Sequence, residues 1–216
     1  MKPNAFTAVL IADQVSSRSA ADAVPTALAA LSAIPMLLPF ERTAGDEIQG
    51  LTDDPAAISR TVCKLTRLGD WRIGIGVGSV DLPLPDSTRA ARGAAYLAAR
   101  IAIARARNSP VQLALALPEA VSGAQYPDLA DAAADAETAL WLWRSILTRR
   151  SAEGWELMDL LDEGLSNARA AERLGISAPA VSQRLGRAAR TEGIRGEALT
   201  SRLLSRLNAI CEMPES

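Results

Sequence analysis

The segment Trp71-Arg72-Ile73-Gly74-Ile75-Gly76-Val77-Gly78 constrains the fold of this chain more than any other stretch. Its β-branched and aromatic residues favour a strand running from Trp71 to Val80, and alternation puts Ile73, Ile75 and Val77 on one face and the three glycines on the other. Glycine weakens a strand interior because it packs nothing. A face left bare three times in succession therefore calls for another backbone, or a ligand, to approach closer than side chains allow.

The other elements fall around this strand in a simple order. Phe6 to Ala12 is a short apolar run of β-formers, expected as a buried central strand and ended by Asp13 and the Ser16-Ser17-Arg18 cluster. Ala20 to Ala33 is helical in propensity, with Pro25 starting a second segment or kinking the first. Leu37 to Thr43 and Ile48 to Leu51 flank Ala44-Gly45-Asp46-Glu47, a hairpin with an acidic tip. Asp53 or Asp54 caps a helix with Pro55 in its first turn and Gly69 beyond its end. A helix from about Ala90 to Arg107, a strand from Val111 to Leu117 and a helix from about Asp128 to Arg150 follow. The order β-α-β-β-α-β-α-β-α predicts an α+β domain: a mixed sheet covered by helices on one face, in the ferredoxin-like manner. Residues 1–126 are assigned to it, 127–150 to a connecting helix and 151–216 to an all-α domain. In the connecting helix Leu129, Ala133, Ala136, Leu140, Trp143 and Leu147 follow a 4-3 spacing, which serves either a dimer seam or packing on the sheet or the next domain.

Composition narrows the chemistry. Among 216 residues there is no histidine, which removes Ser-His-Asp and Cys-His triads, His-ligated zinc and imidazole general-base catalysis. Any reaction has to use carboxylates, arginines, hydroxyls or a metal held by oxygen. Cys63 and Cys211 are far apart in sequence and are expected to be reduced thiols. There is no signal-peptide pattern and no membrane-length apolar run, so a cytoplasmic protein without membrane association is expected.

Asp13 ends the first strand and Asp46 sits on the following hairpin. In a palm-type sheet their carboxylates converge, and hard oxygen ligands of that kind suit Mg²⁺ or Mn²⁺ with a bound phosphate. Equally, both are turn residues able to cap backbone N–H groups. Arg100, Arg105 and Arg107 share one helix, as a solvated face or, for Arg100, as a phosphate ligand.

Four blocks occur in order over roughly the first 115 residues: Leu10-Ile11-Ala12-Asp13-Gln14-Val15-Ser16-Ser17-Arg18, Ala44-Gly45-Asp46-Glu47-Ile48-Gln49-Gly50-Leu51, Arg72 to Gly78, and Gly93-Ala94-Ala95-Tyr96 with Ala99-Arg100. Together they resemble the SatD family and, more distantly, the catalytic palm shared by class III nucleotide cyclases and diguanylate cyclases. The resemblance implies that Asp13 and Asp46 are the two metal-binding aspartates, with Glu47 beside them in a ligand pocket. It also implies that Arg100 is the arginine of the cyclases' Asn-x-x-x-Arg pair, which stabilises charge on the transferring phosphate. Tyr96 stands where the cyclases have asparagine, and the hairpin reads Ala-Gly-Asp-Glu-Ile rather than Gly-Gly-Asp-Glu-Phe. With electrostatic stabilisation supplying most of the rate in phosphoryl chemistry, these departures imply a degenerate palm that binds a nucleotide or metal without turnover.

The near-neutral total, -2, hides an asymmetry. Met1 to Arg150 carries 15 basic and 15 acidic residues, Ser151 to Glu163 five acids and no base, and Gly164 to Arg206 eight arginines against three glutamates. In this last part Trp155 to Leu161 is a short amphipathic helix, and Ser166 or Asn167 caps a second one through Leu174. Gly175 supplies a turn, and Ser177 caps a third helix with Pro179 in its first turn, running to about Thr191 with Gly193 beyond its end. Ala171 is small enough for close helix approach, and Leu174, Ile176, Val181, Leu185 and Ala188 take the inward positions. The stretch from Ala170 to Leu185 resembles the helix-turn-helix of bacterial transcription regulators and sigma-factor C-terminal regions. On that resemblance Ser177, Ala178, Pro179, Ser182 and Gln183 face a major groove, Gln183 pairing with adenine, while Arg169, Arg173, Arg184, Arg187 and Arg190 contact phosphates. A plain three-helix bundle with a solvated basic face is the alternative. The helices after Gly196 are expected to pack back on this domain or to mediate dimerisation.

The expected function is that of a DNA-binding transcriptional regulator acting on double-stranded DNA as a homodimer, its first domain a sensor for a nucleotide-like ligand or a dimerisation module. The alternatives are a metal-dependent nucleotidyl cyclase or transferase, and an adaptor whose bundle binds protein.

Overall fold

The computed structural model describes residues 6–15, 21–121 and 126–211. The Ser16-Ser17-Arg18 cluster lies outside them. Five strands, β1 (Ala8–Gln14), β2 (Leu38–Arg42), β3 (Glu47–Thr52), β4 (Trp71–Val77) and β5 (Leu113–Ala116), form one mixed sheet in the order β2-β3-β1-β4-β5. β1 is antiparallel to both neighbours, and β4 pairs with β5 in parallel. β1 takes the centre because Ala8 to Ala12 are apolar on both faces and fully covered on both.

Helices cover both faces of the sheet, not one. The reason lies in the glycines. α3 (Ala94–Ala106) lies on the bare face of β4 so closely that a Cβ at Gly74 would sit 2.4 Å from Ile103 N, and one at Gly76 only 2.1 Å from Ala99 N and 2.3 Å from Ala95 O. The helix answers with alanines, burying Ala95, Ala98, Ala99, Ala102 and Ala106, while Val9, Ile11 and Leu51 fill the same layer. The opposite face presents Leu10, Ile48, Ile73, Ile75 and Val77 to α1 (Val24–Leu31), α2 (Pro55–Leu68) and α4 (Pro127–Thr148), which form the larger core. α2 starts as expected: Ala56 N donates to Asp54 Oδ1 at 2.8 Å, and Gly69 ends the helix at φ 73°.

Both edges of the sheet are closed to further pairing. On β5, Leu115 N donates to Glu137 Oε1 at 2.8 Å, and Leu115 O accepts from Arg105 Nη1 at 3.0 Å. Arg105 and Glu137 also pair with each other at 3.1 Å, and Trp141 Nε1 donates to Leu113 O at 2.7 Å. Arg105 thus completes a sheet edge instead of facing solvent alone. β2 carries Pro39 and a register shift between Leu38 and Glu41.

Behind the sheet, α5 (Ala152–Asp162), α6 (Asn167–Leu174) and α7 (Ala178–Arg187) enclose a small core of Leu157, Met158, Ala170, Ala171, Val181 and Ala188. Leu174, Ile176 and Leu185 pack around it, so the predicted inward set is met. α7 ends four residues before the expected Thr191, because Ala189 adopts φ 46° and breaks the helix. Arg190 therefore opens α8 (Arg190–Cys211) and is not on α7.

α8 does not pack mainly on the three-helix unit. It returns to α4 and α2, sinking Leu204 and Leu207 into the sheet core. Gly193 and Gly196 are close-approach positions inside this helix: Trp143 Nε1 donates to Gly193 O at 3.0 Å, and a Cβ at Gly196 would lie 2.8 Å from Trp143 Cδ1. The 4-3 stripe of α4 is thereby used within the chain. The three-helix unit is fastened at its base, where Arg67 of α2 grips Asp159 of α5 with two hydrogen bonds of 2.6 and 2.5 Å. Arg67 and Arg150 lie over the Trp155 ring at 5.4 and 4.8 Å. Among the described residues no helix is long and apolar enough to cross a membrane.

Candidate functional site

Two places gather chemistry. The first is the corner of the sheet where β1 ends. Asp13 lies across from Glu47 of β3 on one side and from Arg72 of β4 on the other, and alternation turns all three to the α3 face. Arg72 Nη1 donates to both Asp13 oxygens, at 2.9 and 3.0 Å, with both side chains mostly buried. Arg100 reaches down from α3 to Glu47 Oε2 at 2.6 Å, and Thr43 Oγ1 donates to Glu47 Oε1 at 2.5 Å. Asp46 precedes Glu47 in the turn, and its carbonyl accepts from Gln14 N at 3.3 Å, which brings the hairpin tip to the end of β1. Burial raises the Asp13 carboxyl above the usual aspartate range. Arg72 opposes that rise, and the nearby Asp46 charge adds to it.

The sequence-predicted set Asp13, Asp46, Glu47 and Arg100 is thus brought together, and Arg72 is the member that sequence reasoning missed. Its signal was present in the strand pattern, since Arg72 shares the face of Gly74 and Gly76 at the end where no glycine is needed. The residues do not fit a Mg²⁺ or Mn²⁺ ion. Both oxygens of Asp13 are taken by Arg72 and both of Glu47 by Arg100 and Thr43, and among the described residues no group of three or more His, Cys, Asp or Glu side chains is placed to hold a metal. The Tyr96 hydroxyl lies 3.3 Å from Thr88 Oγ1, and Thr88 Oγ1 accepts from the buried Gln49 Nε2 at 3.0 Å. Cys63 offers no nucleophile, because burial pushes its thiol up to about 11.

The second place is the outer face of α7. Ser177 caps the helix, its hydroxyl accepting from Ala180 N, and Ser166 caps α6 in the same way. Between the two helices Gly175 takes the left-handed conformation at φ 64° that closes the turn. At 100° per residue Val181, Leu185 and Ala188 face inward, which leaves Ala178, Pro179, Ser182, Gln183 and Arg187 together in solvent. Arg169 and Arg173 are exposed on α6, Arg169 at 3.4 Å from Glu172. Two of the predicted arginines lie elsewhere. Arg184 falls on the flank between Val181 and Ala188, 3.9 Å from Glu156 of α5, and the half-buried Arg190 starts α8.

No protein-family model and no curated protein matches this chain.

Gly186 is exposed one residue before the end of α7, and a Cβ there would meet nothing within 4 Å. Glycine in a helix interior costs about 1 kcal/mol relative to alanine. At Gly74 and Gly76 the fold recovers that kind of cost by close packing. At Gly186 nothing inside the molecule does.

Proposed function

We propose that the protein is a DNA-binding regulator that acts in the cytoplasm, reading double-stranded DNA with α7 as the second helix of a helix-turn-helix, and that the sheet domain is a degenerate cyclase-like palm serving as its sensor or dimerisation module. The reading is carried by one observation: Ser182 and Gln183 stand side by side on the exposed face of α7, with Arg187 behind them and Arg169 and Arg173 on the helix before. An amide and a hydroxyl supply base-edge hydrogen bonding, with Gln183 matched to adenine, and the arginines supply phosphate contacts that position the helix. Within α6 and α7, four arginines against one glutamate support the same reading. The alternative of a metal-dependent nucleotidyl cyclase or transferase requires Asp13 open to a cation, the place that Arg72 fills.

Because α8 belongs to the sheet core, the test uses the full chain. DNA selected from genomic fragments should bind with an affinity that falls steeply with salt. Gln183→Ala should lose sequence preference, while Arg187→Ala should weaken all sequences about equally and lower the salt slope by about 1. A full-length chain without affinity for duplex DNA at low salt would sink the proposal.

A further inference from the structure

We propose that the guanidinium of Arg72 holds the cation position of the sheet corner, so that the Asp13–Asp46 site is closed to divalent metals as long as Arg72 is in place. The inference concerns the sheet domain alone and does not depend on DNA binding.

A hard cation chelated by a carboxylate sits between its two oxygens. Arg72 Nη1 occupies that place, at 2.9 and 3.0 Å from Oδ1 and Oδ2 of Asp13. The guanidinium is delivered by the fold, since Arg72 and Asp13 are directly paired in the β1–β4 register and the Arg72 stem is mostly buried beside α3. Its Nε is buried without a hydrogen-bond partner, so the Asp13 contact is the main compensation this desolvated group receives. The second acid of the corner is neutralised in the same manner, because Arg100 lies on Glu47. Arg107 adds a third positive charge that reaches Asp13. Two of the three acids, Asp13 and Glu47, are thus each paired with an arginine at contact distance. Only the half-buried Asp46 carboxylate is left, and a single carboxylate is a poor ligand set for Mg²⁺ or Mn²⁺.

The measurement is Mn²⁺ uptake by the full chain, followed by the electron paramagnetic resonance signal of free Mn²⁺ during titration, with circular dichroism to check folding. The unaltered protein should show no saturable uptake. Arg72→Met keeps the apolar stem and removes the charge, and should take up one Mn²⁺ per chain saturably, at concentrations about tenfold or more below any at which the unaltered protein responds. Adding Asp13→Asn should abolish that uptake, and Arg72→Lys, which keeps a cation beside Asp13, should stay closed. Saturable uptake by the unaltered protein that disappears in Asp13→Asn would overturn the proposal, whether or not Arg72→Met folds. A folded Arg72→Met that binds Mn²⁺ no better than the unaltered chain would overturn it equally.

Discussion

Gly76 and Gly186 are the same residue type with opposite physical roles. At Gly76 a methyl group would enter the α3 backbone, 2.1 Å from Ala99 N, where no flexible side chain is available to yield. Gly76→Ala should therefore cost about 3 kcal/mol or more in urea denaturation. At Gly186, in the last turn of α7, the added methyl meets nothing, and Gly186→Ala should stabilise the protein by up to about 0.5 kcal/mol in the same measurement, less than in a helix interior. A stabilising Gly76→Ala would mean that α3 does not lie on the bare face of β4. Arg144 shows how far a single side chain can go against its own solvation. It is buried with no carboxylate partner among the described residues, burial holds its guanidinium down at about 10, and it donates to Gln112 O at 2.7 Å and Trp71 O at 2.5 Å. Those two carbonyls lie where β4 and β5 begin, so a long polar side chain of α4 ties the sheet to the helix behind it.

The elements divide into those that announce themselves in sequence and those that do not. Caps and turns did: Asp54, Ser166, Gly175 and Ser177 act where short polar side chains and left-handed glycine are expected, because these are local effects fixed within a few residues. The bare strand was equally legible, and of the two occupants it called for, a backbone or a ligand, α3 supplies the first. The end of α7 was not legible, since Ala189 enters the left-handed region although alanine carries no signal for it. Nor was the destination of α8, whose Thr200, Leu204 and Leu207 form a buried stripe with no label saying which core receives it. Within the sheet corner, carboxylates at strand ends were visible as chemistry. The guanidinium that occupies one of them depends on cross-strand register, which composition does not give.

The Arg105–Glu137 pair does for β5 what a sixth strand would. Glu137→Ala leaves the buried Leu115 N–H without an acceptor and should cost about 1–3 kcal/mol, whereas Glu137→Gln keeps an oxygen and should cost less. Thermal melting separates the two. Size-exclusion chromatography of Glu137→Ala at rising concentration should in addition show self-association through the uncovered edge. Equal melting of both variants with no association would mean that the edge does not depend on this pair.

At the scale of the whole molecule, α5, α6 and α7 form an insertion between two partners. α4 leads into the three-helix unit, α8 leads out, and the two helices pack on each other along the back of the sheet. Leu204 and Leu207 are fully buried in the same core as Leu10 and Ile73. Leu204→Ala should therefore destabilise the sheet domain by about 2–5 kcal/mol, read by urea denaturation. A chain cut after Ala189 should bind a hydrophobic dye, because the groove between α2 and α4 is then uncovered. A truncated chain that melts like the full one would show that the sheet core closes without α8.

That return of the last helix sets an order of events during synthesis. Every strand leaves the ribosome well before Leu204 and Leu207, yet the core those strands build waits for these two leucines. The α5–α7 unit has its own small core of Leu157, Met158, Ala170, Ala171, Val181 and Ala188, and each of its residues is made before α8. The part of the chain translated first is thus the part whose core is completed by residues translated last.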